Sequence, residues 1–139
     1  MIDAELLTRR MVLITADLEA LQPLAAKPLD EYLASATDEL VAERLLERII
    51  GRMIDVNYHV LIESGLPPPR DYYDSFTDLV KIRLLPSEFA VRIAACAGLR
   101  NRIAHEYDTI DPARVHAAIQ TAVLEIPEYL RSVQTFVAR

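Results

Sequence analysis

Apolar residues recur every three or four positions along most of the chain, which is the spacing of α-helices that bury one face. The pattern predicts helices over roughly residues 3–24, 37–64 and 87–104, a short one from 75 and a last one from 112. The last helix has the clearest stripe: Val115, Ile119, Ala122, Ile126, Leu130, Val133 and Val137. The prediction is an all-α fold, an up-and-down bundle of four main helices and one short helix. We expect residues 1–139 to form a single domain.

Prolines and capping residues set the expected boundaries. Consecutive prolines keep the segment from Gly65 to Pro69 out of any helix. The stripe of the last helix keeps its phase across Pro127, so this proline should bend that helix rather than end it. Further boundaries are a turn bracketed by Pro23 and Pro28, and helix starts near Ser75, Pro86 and Pro112, with Asp78, Ser87 and Asp111 as capping groups.

Composition narrows the class of protein. The chain is 52% hydrophobic with only 3 glycines in 139 residues, which favours helices over an all-β fold. It has no long uncharged apolar run and no basic-then-apolar N-terminal signal, so a cytoplasmic protein without a membrane span is expected. The lone Cys96 fits that compartment, and we interpret it as a small core residue. A net charge of −6 argues against nonspecific polyanion binding, although a local basic cleft is compatible with it.

The end of the predicted 87–104 helix is the chemically distinctive segment. At 100° per residue, Arg100 follows the apolar face that carries Ile93 and Cys96. An unpaired buried charge is costly, so Arg100 should find a carboxylate or line a cleft that receives an anion. His105 points about 140° away on an ideal helix. The two side chains therefore converge only if the helix unwinds near Ala104 or if two chains meet.

The run Arg100-Asn101-Arg102-Ile103-Ala104-His105-Glu106-Tyr107 resembles the signature of the HEPN superfamily, an arginine followed four to six residues later by a histidine. The tyrosine two residues after the histidine, with Ile110 and Asp111 before the last helix, is similar to the HepT branch. Helix order and chain length also agree with that branch, so the resemblance covers most of the chain.

The resemblance implies the toxin of a type VII toxin–antitoxin system. Such a toxin is a homodimeric endoribonuclease that needs no metal or other cofactor, and a minimal nucleotidyltransferase (MNT) antitoxin neutralises it by adenylylation. Carried over to this sequence, Arg100 and His105 are the expected catalytic residues and Tyr107 is the expected AMP acceptor. Asn101 and Arg102 are expected to support the site or contact RNA, either tRNA or mRNA.

These roles agree with the chemistry of the side chains. RNA is cut when its 2′-hydroxyl attacks the adjacent phosphate. A histidine that titrates near neutrality can remove that proton or protonate the leaving oxygen. An arginine fork can hold the phosphate and stabilise its growing charge. AMP on Tyr107 would place a phosphodiester and a bulky nucleoside beside Arg100 and so block RNA.

Other interpretations stay open at this point. Arg100 and His105 could be cations that favour a helix C-terminus, and Tyr107 could be an ordinary rim tyrosine. The bundle could be a noncatalytic, substrate-binding partner of a nucleotidyltransferase, or a dimerisation module. Arg44, Arg48 and Arg52 recur every fourth residue; this strip could bind RNA or an acidic antitoxin, although a solvated face beside Glu43 and Glu47 is the simpler interpretation. His59 and His116 have no partner at metal-ligand spacing, so no metal site is predicted.

Overall fold

The computed structural model describes residues 1–139 as helices joined by short connections, and the predicted all-α class is confirmed. The elements are α1 (Ala4–Ala26), α2 (Leu29–Leu33), α3 (Ala36–Glu63), α4 (Tyr72–Thr77), a 3₁₀ turn (Asp78–Val80), α5 (Ser87–Ile93), α6 (Ala95–His105) and α7 (Pro112–Val137). No helix combines the length and the apolar character that crossing a bilayer requires.

The three long helices α1, α3 and α7 form the frame of the bundle. Each begins at a residue whose side chain accepts a backbone N–H of the first turn: Asp3 from Leu6, Ser35 from Asp38 and Asp111 from Ala113. These caps satisfy amide groups that have no partner inside the helix. The apolar stripes meet in one cluster of 35 buried hydrophobic residues. The predicted stripe of the last helix is part of that cluster, apart from Val137, which packs against it.

Two prolines lie inside long helices without ending them, which was expected for α7 but not for α1. Pro23 lies inside α1, which ends at Ala26, so the predicted turn starting at Pro23 is wrong and the chain turns at Lys27 and Pro28. Pro127 lies inside α7, and the helix continues past it to Val137. The apolar pattern did not predict α2. This single turn buries Tyr32 against His116, with the ring centroids 4.9 Å apart.

The predicted 87–104 helix is two helices, α5 and α6, which meet at Ala94. The backbone hydrogen bonds there change from the four-residue spacing of an α-helix to a three-residue spacing, because the Ala97 N–H donates to the Ala94 carbonyl. Ser87 is a helical residue and caps nothing; Pro86 occupies the cap position. The Ala-Ala-Cys-Ala-Gly sequence around the junction contains no helix breaker other than one glycine, so nothing in the pattern indicated a break.

The short helix α4 begins at Tyr72 and not at Ser75, because Asp71 caps it by accepting the Asp74 N–H at 2.7 Å. Asp78, the expected capping partner, follows this helix. Ser75 is instead buried, and its hydroxyl accepts from Asn57 at 3.3 Å. Asn57 in turn accepts from the Tyr129 hydroxyl at 2.6 Å. This buried chain of hydrogen bonds fixes α4 to α3 and α7 and thereby places Tyr72 next to α6.

Candidate active site

Helix α6 continues through His105, so the possibility that the helix unwinds near Ala104 is wrong. Its last N–H···O bond runs from Glu106 to Arg102 at 2.8 Å, and a turn over Tyr107–Thr109 then leads to α7. Five residues of helix separate Arg100 and His105 by about 7.5 Å along the axis and about 140° around it. Within one protomer the two side chains therefore leave the helix in different directions.

Arg100 lines a polar cleft between α3, α4 and α6, which we name the arginine cleft. Its volume is about 490 Å³, and its lining includes Arg44, Arg48, Arg52, Arg100, Tyr58 and Tyr72 together with the acidic Glu47 and Asp55. The Arg100 guanidinium lies 5.5 Å from the centroid of the Tyr72 ring, within cation–π range. Arg100 forms no ion pair and lines a cleft, which is one of the two environments predicted for it; that the cleft receives an anion stays a prediction.

The carboxylates near this cleft pair with other arginines. Asp17 of α1 accepts from Arg52 at 2.7 Å and lies 3.1 Å from Arg48. Glu47 pairs with Arg44 at 2.7 Å, and Asp55 lies 3.9 Å from Arg10 of α1. The strip on α3 is thus not only the solvated face beside Glu43 and Glu47 that was the simpler interpretation. It is one wall of a cleft, and α1 supplies the carboxylate that organises it.

His105 and Tyr107 are both exposed at the end of α6. His105 occupies the last turn, and its ring makes no hydrogen bond within the chain. Tyr107 lies in the turn that follows and is 68% exposed. The alternative interpretation, a rim tyrosine whose ring is buried, therefore does not fit Tyr107. Both groups are accessible to a second macromolecule.

The two expected supporting residues lie away from the arginine cleft. Asn101 is exposed at the surface of α6. Arg102 faces the opposite side of α6, into an apolar groove of about 570 Å³ between α6 and α7. A Cβ on Gly98 would lie 3.4 Å from the Arg102 guanidinium, so this arginine folds back over the glycine. The structure therefore does not bring Arg102 to Arg100 within one protomer.

The remaining titratable candidates have structural partners. His59 accepts the Asp3 backbone N–H at 2.9 Å, and His116 lies 2.8 Å from the Lys27 carbonyl. No three His, Cys, Asp or Glu side chains are grouped as a metal site would require. Burial and the nearby Glu125 raise the pKa of the Cys96 thiol to about 12, so Cys96 is a neutral thiol near pH 7. This state agrees with its interpretation as a packing residue.

Sequence reasoning missed the two tyrosines that line the cleft, Tyr58 and Tyr72, and also Asp17, which pairs with two of its arginines. Asp17 carried a usable signal, because it interrupts the apolar stripe of α1 between Ile14 and Leu18. A charge on an otherwise buried face needs a partner of opposite sign. The two tyrosines carried no such signal, since their positions depend on where α4 packs.

A family model described as ribonuclease HepT-like matches residues 14–133. The chain belongs to the HepT-like ribonuclease family. The tRNA nuclease HepT of Aphanizomenon flos-aquae (strain 2012/KM1/D3) is 38% identical over 137 residues, which cover 97% of this chain and 92% of that protein. The predicted family and endoribonuclease class are both confirmed.

Two solved structures that have this fold come from toxin–antitoxin complexes. A tri-AMPylated Shewanella oneidensis HEPN toxin in complex with MNT antitoxin superimposes with a TM-score of 0.86 at 18% identity, over 96% of this chain and 99% of that one. A toxin–antitoxin complex with AMP-PNP gives a TM-score of 0.83 at 18% identity, over 94% and 99%. At this identity, the likeness establishes that the HepT-like chain has the HEPN toxin fold.

Proposed function

We propose that this HepT-like ribonuclease is the cytoplasmic toxin of a toxin–antitoxin pair and that it cuts tRNA without a metal. The relative that is 38% identical is a tRNA nuclease, which supports tRNA as the substrate. The observation that carries the proposal is the environment of Arg100: a guanidinium without a carboxylate partner, lining a polar cleft one and a half turns before an exposed histidine. Residues 1–139 act as one HEPN-like domain, which the single core cluster supports.

Arg100 and His105 are the proposed catalytic residues. The RNA 2′-hydroxyl attacks the adjacent phosphorus, and the bond from phosphorus to the 5′-oxygen breaks. This leaves a 2′,3′-cyclic phosphate and a free 5′-hydroxyl. His105 takes the proton of the 2′-hydroxyl or delivers one to the departing 5′-oxygen. Arg100 donates to the phosphate oxygens on which charge accumulates.

A homodimer brings together the arginine and the histidine that lie apart within one protomer. Because α6 is helical through His105, Arg100 and His105 of the same chain diverge. Two chains that pair near the ends of their α6 helices place the histidine of one protomer beside the arginine of the other. The dimer then also holds two histidines, one acting as base and one as acid. Asn101 and Arg102 contact RNA from the part of α6 that faces away from the arginine cleft.

The first experiment tests the catalytic histidine. The purified chain is incubated with tRNA in the presence of EDTA, and fragments are followed on denaturing gels. We expect cleavage that EDTA leaves intact and that His105→Ala lowers by about 10²–10⁴-fold. His59→Ala is the matched control, since that histidine only accepts a backbone N–H near the N-terminus. If the unmodified chain leaves tRNA and other RNA uncut while still binding a nucleotidyltransferase, the noncatalytic partner is the correct function.

Tyr107 is the proposed acceptor of AMP from an MNT antitoxin. Its hydroxyl oxygen attacks the α-phosphorus of ATP, pyrophosphate leaves, and the phenolic proton passes to solvent or to a base of the antitoxin. The added phosphodiester is an anion that competes with RNA phosphate for Arg100. Exposure of the side chain in a turn makes it accessible to another enzyme's active site.

Mass spectrometry of the intact chain after incubation with the antitoxin and ATP tests this role. We expect the mass to increase by whole AMP units, the unit to map to Tyr107, and RNA cleavage to fall in parallel. Tyr107→Phe should prevent the increase, whereas Tyr73→Phe, a control at another exposed tyrosine, should not. AMP on another residue, or AMP on Tyr107 with undiminished cleavage, would contradict the proposed regulation.

A further inference from the structure

The arginine cleft extends well beyond the one arginine that the proposed chemistry uses. Arg44, Arg48 and Arg52 are successive fourth residues on α3, so the strip spans about 12 Å of helix. Including Arg10, five arginines and three carboxylates surround the cleft. A local excess of positive charge in a chain of net charge −6 needs a physical reason.

Asp17 holds part of this strip in place without neutralising it. Its side chain is only 11% exposed, and its carboxylate contacts both Arg48 and Arg52. One negative charge against two guanidiniums leaves the group with a surplus positive charge. The Arg48 side chain keeps 43% of its surface exposed, so it can contact a ligand while paired. Arg44, with 68% of its side chain exposed, lies one turn further along. An arginine whose side chain is already held by Asp17 loses less conformational entropy when it binds an anion.

Two tyrosine rings complete the cleft. Tyr58 and Tyr72 meet edge to face, with centroids 6.4 Å apart and planes at 84°. Tyr72 is 38% exposed and carries the Arg100 guanidinium 5.5 Å from its ring centroid. Aromatic rings beside guanidiniums are the usual means by which proteins bind unpaired nucleotides, since the ring stacks on a base while the cations contact the backbone.

We propose that the arginine cleft binds the single-stranded RNA next to the scissile phosphate, with Arg44 and Arg48 on flanking phosphates and Tyr72 stacked on an unpaired base. This inference rests on the proposed ribonuclease function, because Arg100 is the point at which the cleft meets the scissile phosphate. It adds a positioning surface on α3 and α4 that lies outside the Arg100–Tyr107 segment. An acidic face of the antitoxin is the competing occupant, and the test below separates the two.

The test measures RNA binding without cleavage. Fluorescence anisotropy follows binding of a labelled single-stranded RNA to the His105→Ala protein as KCl is raised, alone and with Arg44→Ala or Arg48→Ala added. Each added variant should weaken binding severalfold and make the slope of log Kd against log salt shallower by about 0.7, the value for one phosphate contact on a single strand. Tyr72→Ala should weaken binding about tenfold, whereas Tyr72→Phe should not.

Arg9→Ala is the matched control. Arg9 and Arg44 are similarly exposed, at 61% and 68%, and each pairs with a glutamate of its own helix. Arg9 does not line the cleft, so its variant should leave both the affinity and the salt slope unchanged. Thermal denaturation of every variant confirms folding, and Arg44 remains informative if loss of the Asp17 contact destabilises Arg48→Ala.

Three results overturn the inference. The first is that Arg44→Ala and Arg48→Ala both behave like Arg9→Ala. The second is that they leave RNA binding intact but weaken binding of the antitoxin, followed by the same anisotropy method with labelled antitoxin, which would assign the cleft to the antitoxin. The third is that Tyr72→Phe loses as much affinity as Tyr72→Ala, which would exclude stacking. Failure of the ribonuclease function is distinguishable, because the chain would then leave RNA uncut whether or not these arginines bind it.

Discussion

The two sides of α6 carry arginines only two residues apart in very different surroundings. Arg100 faces the arginine cleft, where guanidiniums outnumber carboxylates and two tyrosines form part of the wall. Arg102 faces the groove toward α7, whose lining is mostly apolar and includes Glu106, Asp111 and Glu125. One face is suited to an RNA backbone, and the other is electrostatically mixed. The comparison shows that two arginines of one short motif lie in different electrostatic surroundings because of their positions around the helix.

The largest expected effect separates these two arginines directly. Arg100→Ala should lower the rate of tRNA cleavage about a thousandfold, because in the proposed mechanism the growing charge on the phosphate loses its donor. Arg102→Ala should stay within about tenfold of the unmodified protein, as expected for one peripheral phosphate contact. Single-turnover cleavage measures both. Equal losses in the two variants would mean that the dimer brings both arginines to the phosphate and that the separation within a protomer has no functional meaning.

The contrast between the two arginines also explains how much of the fold and of the site the sequence alone could predict. Periodicity located the long helices, and the Arg100–Tyr107 run identified the family, because both signals are local. The arginine cleft is not a local feature: Asp17 of α1 and Tyr72 of α4 reach it only through packing. The junction at Ala94, which sets the direction of α6, arises in a run of small residues that favour a continuous helix equally well. The family motif therefore predicted the candidate site residues, but not which of them share a cleft.

A cysteine can report the local surroundings on each side of α6. Cys96 lines the groove, and its pKa is raised to about 12. A raised thiol pKa means less thiolate at a given pH, so at pH 8 alkylation of the folded protein should be slower than that of the unfolded chain by roughly two to three powers of ten. Iodoacetamide labelling followed by mass spectrometry gives both rates. Labelling at equal rates would show that the groove does not shield this thiol.

A thiol introduced into the arginine cleft provides a comparison for the reactivity of Cys96. Gly51 lines the arginine cleft, and a Cβ built there meets nothing within 4 Å. In a Cys96→Ala background, Gly51→Cys places a thiol beside guanidiniums, which favour the thiolate. It should react faster than Cys96 does, and raising the salt concentration should slow it. A cleft thiol as unreactive as Cys96 would argue against a positive potential there.

A smaller effect concerns what holds the cleft together. Asp17→Asn leaves the partly buried Arg52 without a carboxylate, and we expect the free energy of unfolding to fall by about 2 kcal/mol. Glu5→Gln is the control, since its pair with Arg9 is solvent-exposed and should contribute below about 0.5 kcal/mol. Urea denaturation followed by circular dichroism measures both. If the two variants lose the same small amount, Asp17 does not organise the strip, and Arg48 and Arg52 hold their positions independently.

The smallest expected effect is in the groove, where Arg92 of α5 pairs with Glu125 of α7 at 3.2 Å. More than half of the Arg92 side chain is exposed at 55%, so solvent screens the pair. A double-mutant cycle with Arg92→Ala and Glu125→Ala should give a coupling energy of about 0.5 kcal/mol that decreases in high salt. The corresponding cycle for Arg52 and Asp17 should give a larger value that depends less on salt, because that pair is better buried. Coupling of equal size in both cycles would mean that ion pairs contribute the same on the two faces of α6, and the distinction between them would then rest on their ligands alone.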